Sequence, residues 1–293
     1  MKPKTISVVT PSYNQGDFVG ETIRSVLTQC GDFYIDYIII DGGSTDHSVS
    51  IIKEYDAKFK SNPENFTKCS GIRFNWVSEK DNGQVDALKK GFRMASGDIL
   101  CWLNSDDIFP SSDVLQKVVS YFNDDPGLKL LTGDGIFISK SGTTTGTHHV
   151  ERINIKELLF LDYHIFQPST FFTRDVYDET LLDETFNCAF DAKFFIGLLE
   201  KGISYRKVND ILGAFRYYEE NKTISLRNQR YRESMSIARR FSRNLYFYTV
   251  SLLYRKTESL LHPVIQVKHG FKYKLFVFSR RLAYLLITGK FKR

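Results

Sequence analysis

Between Gly97 and Asp107 the chain reads Gly-Asp-Ile-Leu-Cys-Trp-Leu-Asn-Ser-Asp-Asp. A short apolar run bounded in front by glycine and behind by two adjacent carboxylates is the length of a strand, not of a helix. It does not alternate with polar residues, so both its faces are buried. That is the condition of a strand in a sheet with helices on either side. Ligands of such sheets bind beyond the carboxyl ends of the strands, where Asp106 and Asp107 stand. Neighbouring like charges repel, and a divalent cation relieves the repulsion; magnesium and manganese favour carboxylate and water oxygens and share a substrate's phosphates. The same pair also reads as a solvated turn before Pro110 that caps the next helix.

The flanking pattern fixes the setting. Thr5–Thr10 is a β-branched apolar strand, and Pro11–Gly16 a turn cluster. Asp17 stands where it would cap a helix to about Gln29. A second buried strand, Tyr34–Ile40, ends at Asp41-Gly42-Gly43-Ser44, with Ser44 placed to cap the next helix. Ile72–Ser78 is a third strand and Gln84–Ala95 a helix. Strand and helix alternating in this way give a βαβ series, hence an α/β fold with a mainly parallel central sheet flanked by helices. Further on, Val114–Phe122 is helical, Leu128–Ile138 is strand broken at Gly133–Gly135, and Gln167–Arg174 is strand. Asp191–Lys201 is helical, and Tyr205–Val208 and Ile211–Arg216 are short strands. In a parallel sheet the ends of strands one, two and four share an edge. There Tyr13 can stack on a base and Asp41 can accept from a base or ribose donor, although Asp41-Gly42-Gly43 also reads as a plain turn. No G-x-G-x-x-G follows the first strand and no phosphate-loop motif exists.

Charge divides the chain. Residues 1–226 carry 24 Lys+Arg against 32 Asp+Glu, a net −8, whereas residues 227–293 carry 16 against 2, a net +14. The expected organisation is a body at 1–222, in two halves at 1–110 and 111–222, and a basic helical extension at 223–293. In the extension, Asn244–Tyr254 is apolar and flanked by Arg239, Arg240, Arg243, Arg255 and Lys256; Arg280–Ile287 repeats the arrangement. Such helices lie on an anionic lipid surface or pack on the acidic body. No recognised nucleic-acid motif accompanies them, so no nucleic-acid partner is expected. No apolar run reaches the ~18 residues of a spanning helix. The first residues lead straight into a strand without a leader-like stretch. The four scattered cysteines form no metal or disulfide pattern and fit a cytoplasmic setting.

Four segments taken together, Ser-Val-Val-Thr-Pro-Ser-Tyr-Asn, Ile-Ile-Ile-Asp-Gly-Gly-Ser-Thr-Asp, Asp-Asn-Gly-Gln-Val-Asp-Ala-Leu and Leu-Asn-Ser-Asp-Asp, resemble glycosyltransferase family 2 in order and spacing over residues 4–225. The resemblance implies the GT-A fold and inverting, hexosyltransferase-type transfer from a nucleoside-diphosphate sugar, a UDP-sugar first among them. It implies that Pro11, Tyr13, Asn14 and Asp41 line the base pocket and that Asp81 and Gln84 belong to a donor-binding segment. It sets Asn104, Ser105, Asp106 and Asp107 at the Asp-x-Asp motif, with Asp106 and Asp107 as ligands of Mn2+ or Mg2+. Asn104 departs from that motif, standing where many members have its first Asp. The resemblance makes Asp191 the candidate base, with Asp183 and Glu184 as rivals, and sets Gln167 on the acceptor side. A helix start at Asp191 is expected to keep its carboxylate ionised. Tyr218 stands where relatives often have His, so Arg216 and Lys222 are expected to neutralise the diphosphate. The acceptor implied is a saccharide or lipid-linked saccharide, met at the inner face of the cell membrane during cell-surface polysaccharide synthesis. A non-catalytic sugar-nucleotide or glycan-binding module and a nucleotidyltransferase are the alternatives.

Overall fold

The structure, a computed structural model, describes residues 4–150, 153–161, 165–241, 244–265 and 271–289; Arg243 lies outside them. The first half is β1 (Thr5–Ser12), α1 (Val19–Leu27), β2 (Cys30–Asp41), α2 (Ser48–Ser61), β3 (Lys68–Ser78), α3 (Gln84–Met94) and β4 (Ile99–Trp102). Its four strands pair in parallel in the order β3-β2-β1-β4. There follow α4 (Val114–Asp124), β5 (Leu130–Ile138), β6 (Thr144–His148), α5 (Ile155–Phe160), β7 (Thr170–Thr173), α6 (Phe190–Glu200) and β8 (Tyr205–Arg216). Here the sheet turns mixed: β7 is antiparallel to β4 and β5, β6 is antiparallel to β5, and β8 runs parallel to β5. The chain closes with α7 (Lys222–Ser225), α8 (Arg227–Phe241), α9 (Leu245–Ile265) and α10 (Phe271–Thr288).

Strand residues feed two cores alternately. Val9, Ile38 and Ile40 meet α3 and α6 on one face; Val8, Ile35, Tyr37 and Ile39 meet α1 and α4 on the other. This is the two-sided burial that the non-alternating strands require. All four residues of β4 are buried, with Trp102 the largest. The Trp102 ring stacks on Phe195 at 5.2 Å and meets Phe194 edge-on at 5.6 Å, so α6 is pinned against the end of β4. Aromatic pairs of this kind add about 0.5–1.5 kcal/mol beyond their area burial. Gly97 precedes β4 because a Cβ there would sit 2.6 Å from the Ser7 amide nitrogen.

Several local expectations change. β1 continues through Pro11 and Ser12, which pair with Ile40 and Asp41. Proline is tolerated there because the β4 side of the ladder has already ended at Val9–Trp102. Asp17 caps nothing, since α1 begins at Val19 on the carbonyl of Gln15. Ser44 does not cap α2, which starts four residues later. The Asp106–Asp107 pair does not cap α4 either; Asp113 precedes that helix. Gly133–Gly135 does not break β5, and β8 is one strand from Tyr205 to Arg216; register shifts absorb both irregularities. The extension joins the body's core: Ile237, Ala238, Tyr254, Ala283 and Ile287 are buried in the cluster that contains Trp102.

Candidate active site

The ends of β1 and β2 are stitched by their loops. Asn14 takes a left-handed backbone (φ 51°), a conformation asparagine tolerates. Its amide donates to Ser44 Oγ at 2.8 Å, and its side-chain oxygen accepts from the Thr45 amide at 2.9 Å. Tyr13 is 59% exposed beside this loop and Pro11 is buried. Asp41 is fully buried. Its Oδ2 accepts from Ser78 Oγ at 2.8 Å and from the Ser44 and Gly43 amides at 3.0 and 3.1 Å; its Oδ1 accepts from Ser44 Oγ. In this arrangement Asp41 shapes the loop instead of facing solvent. The carboxylate next to it is Asp81, whose oxygens lie so close to Gly42 that a Cβ there would meet them at 2.7 Å. Asp81 accepts from the Gly83 amide at 2.8 Å, and burial pushes its pKa up, with the charges of Asp86 and Asp41 adding to the rise.

Past β4, amide groups form a chain. Gln84 Nε2 donates to Asn104 Oδ1 at 2.8 Å. Asn104 Nδ2 donates to Asp107 Oδ2 at 3.1 Å and to Gln167 Oε1 at 3.2 Å. Gln167 Nε2 donates in turn to the Trp102 carbonyl at 2.7 Å, which fixes which way its amide points. Asn104 is therefore a needed donor: an aspartate there would set its oxygens against two acceptors. Lys222 joins the chain from α7, with Nζ 3.2 Å from Gln84 Oε1. Ser105 is buried, and its carbonyl accepts from Thr22 Oγ1 at 2.9 Å.

The acidic pair divides. Asp107 is fully buried, and its Oδ1 accepts from the Arg216 amide at 3.0 Å. Burial, and then the charge of Asp106, push its pKa well up. Asp107 thus secures the loop from inside, and the expectation that both carboxylates reach one ion is not met. Asp106 is half-buried and accepts from the Tyr218 hydroxyl at 2.9 Å. Arg216 also differs from expectation. Its side chain is 1% exposed and its guanidinium donates to the carbonyls of Asp106, Ser139 and Lys140 and to Glu21. It braces the Asp106 loop from behind, because four inward acceptors outcompete solvent for it.

Among the described residues no three His, Cys, Asp or Glu side chains gather to hold an ion unaided. One half-buried carboxylate beside a phenol and amides still fits magnesium or manganese. Such ions commonly take one or two carboxylates and fill the remaining positions with phosphate oxygens and water.

Asp191 is the second residue of α6, behind Ala189 as cap. It accepts from the Ala192 amide at 2.7 Å. The helix start does not dominate its ionisation: burial pushes its pKa up to about 6, against the Ala192 amide and the charges of Arg230 and Lys222. Burial likewise lowers Lys222, partly offset by the nearby Cys188, Glu233 and Asp191. Lys222 therefore links the Asp191 end of the site to the Gln84–Asn104 end. The rivals are spent elsewhere. Asp183 pairs with Lys193 and Arg240, and Glu184 with Lys89.

Two participants have no role in the sequence reading of the site: Tyr218 enters there only as replacing a histidine, and Glu233 is not singled out. Tyr218 donates to Asp106 and packs on Phe18 at 4.9 Å. Glu233, on α8, accepts from the amides of Asn187, Cys188 and Ala189 at 3.1, 2.7 and 2.9 Å. It is one of only two acids in residues 227–293, and an isolated acid in so basic a stretch is the signal that could have found it.

A family model described as glycosyl transferase family 2 matches residues 7–190, well over half of the chain. The chain belongs to glycosyltransferase family 2. This agrees with the motif resemblance, and the mixed sheet agrees with the GT-A fold. Among curated relatives, the family member is 33% identical over 132 residues to an uncharacterized glycosyltransferase of Mycobacterium tuberculosis, covering 45% of each chain. It is 27% identical over 157 residues to a PGL/p-HBAD biosynthesis glycosyltransferase of Mycobacterium bovis, covering 53% of this chain and 56% of that one. The match thus spans about half the length of these relatives. Two solved structures share the fold at 14% identity. Staphylococcus aureus TarS 1-349 in complex with UDP-GlcNAc has a TM-score of 0.58, with 97% of this chain and 81% of that one covered. Mannosyltransferase PcManGT from Pyrobaculum calidifontis, in complex with GDP-Man and Mn2+, has a TM-score of 0.59, with 98% and 87% covered.

Proposed function

We propose that this family 2 member moves a sugar from a nucleoside-diphosphate donor to an acceptor hydroxyl in one in-line displacement with inversion, Asp191 being the general base. The observation that carries the reading is Asp191 itself. Its carboxylate is tuned by burial to about 6, close to the pH at which a base both stays deprotonated and takes a proton readily. Lys222 ties it to the amide chain at the end of β4. The nucleotide lies at the β1–β2 edge, with Tyr13 against the base, Asp81 and Asn14 beside it, and Asp41 keeping the loop in shape. Lys222, Gln84 and Asn104 orient the diphosphate, and Gln167 lies on the acceptor side. A divalent cation held at Asp106 would neutralise charge on the departing nucleoside diphosphate. The donor complexes of the two structural neighbours support a nucleotide-sugar donor.

The reading also sets α9 and α10 against an anionic membrane surface, where a lipid-linked saccharide would be met. Leu245, Leu253 and Phe278 are 75%, 61% and 62% exposed there, in a segment of net charge +14 counted over residues 227–293. No helix among the described residues is long and apolar enough to cross a membrane. Incubation with a panel of nucleotide sugars and Mn2+ tests the activity. Release of a nucleoside diphosphate supports transfer; pyrophosphate released from a nucleoside triphosphate and a sugar 1-phosphate, supplied in a parallel incubation, would assign a nucleotidyltransferase. Binding without turnover would leave a sugar-nucleotide-binding module.

A further inference from the structure

A cavity of about 530 Å³ opens between α5, α6, α8 and α9, apart from the β-strand ends. Arg227, Arg230, Arg232, Arg255 and Lys256 line it, and no carboxylate does among the described residues. Its remaining wall is largely apolar, from Leu158, Ile196, Ile237 and Leu252. The volume suits a small-molecule site, commonly about 300–1,000 Å³. Arginine forks match the oxygens of a phosphate in pairs. Arg255 is held in place, its guanidinium 5.7 Å over the Tyr231 ring and its Nε donating to Ser251 Oγ at 3.3 Å. Two positions give the cavity its context. Ala192 lies on its wall, next in sequence to Asp191, and the charge of Arg230 acts on Asp191. Leu252 lies on the same wall while 43% exposed, so the cavity is continuous with the exposed apolar side of α9.

We infer that this cavity binds the phosphate group of an amphiphilic acceptor, with the acyl or prenyl chain leaving along Leu252 and α9 and the sugar-accepting end directed toward Asp191. The inference rests on the reading of Asp191 as the base. A ligand with both an anionic head and an apolar tail matches the basic part and the apolar part of this lining at once.

The test is calorimetric titration of the full chain with dodecyl phosphate below its micelle concentration, beside inorganic phosphate and uncharged dodecyl maltoside. Dodecyl phosphate is expected to bind saturably and at least about tenfold more tightly than either comparator. Arg232→Gln combined with Lys256→Gln, both exposed positions, should weaken it about tenfold or more. Leu252→Asp should abolish it, while the thermal shift given by UDP stays as in the wild type. Equal binding of dodecyl maltoside, or wild-type affinity in both variants, overturns the proposal. Inorganic phosphate binding as tightly as the probe would leave a bare anion site and overturn the amphiphile. Soluble glycerol phosphate displacing the probe at comparable concentration would make this a headgroup site and overturn the acceptor assignment. Tight probe binding with no nucleotide-induced shift would instead sink the donor-site reading alone.

Discussion

Asp191 faces opposed demands. Folding favours its protonated form, because burial lifts it to about 6, while the proposed chemistry needs it deprotonated. Two outcomes follow from that sign. The value of kcat/KM should fall as pH drops through about 6 and level off above it, measured as a pH–rate profile. The second is that Asp191→Asn, which keeps an acceptor for the Ala192 amide, should lower turnover by about 10²–10⁴. The same variant should gain about 1–3 kcal/mol of stability at pH 7, since the raised carboxyl costs stability that builds up as pH rises through the ordinary carboxylate range and is complete above its folded value of about 6. That gain should vanish below the ordinary carboxylate range, as thermal melts at pH 7 and pH 3 would show. Asn104 tests the opposite intuition. Restoring the family's aspartate with Asn104→Asp should destabilise by about 2–4 kcal/mol in denaturant titration. It puts a carboxylate beside buried Asp107 and opposite the Gln167 carbonyl oxygen. An unchanged midpoint would remove the amide chain from the account.

Among elements, the nucleotide half was the more legible in sequence. Strands buried on both faces and the punctuation at Gly42–Gly43 and Gly97 are local signals, and they placed β1, β2 and β4 within a few residues. The resemblance, not periodicity, pointed to Asp191. What stayed hidden depends on distant partners. Nothing near Arg216 in the sequence says that its guanidinium meets Glu21 and the 139–140 carbonyls, and Asp107 looks no less available than Asp106 until the fold buries it. The link from Trp102 to α6 is equally non-local. Trp102→Ala should cost about 3–5 kcal/mol and lower turnover further than it lowers nucleotide binding, because α6 loses its stacking surface at Phe195. α8 offers a finer probe. Burial pushes Glu233 up, and its three amide donors reverse that and hold it below the usual carboxylate range, so its contribution is lost as pH falls through that lowered value. Glu233→Gln should cost about 1–3 kcal/mol at pH 7 and lower kcat with little change in nucleotide binding.

For the molecule as a whole, charge asymmetry makes the proposed membrane surface testable. Flotation with phosphatidylglycerol vesicles should recover the full chain, and recovery should fall with phosphatidylcholine or at high salt. Leu253→Glu with Phe278→Glu should reduce flotation without shifting the melting temperature, since both side chains already face solvent. Flotation unchanged in that pair would remove the membrane surface from the reading. The Glu233 contact reaches beyond stability. The portion matched by the family model stops at residue 190, yet the loop just before that limit is held by an acid from α8. A chimera that grafted this body onto a relative's C-terminal helices would inherit the segment leading to Asp191 without its clasp, and would be expected to hold that loop in place only when the graft carries a carboxylate at the same position.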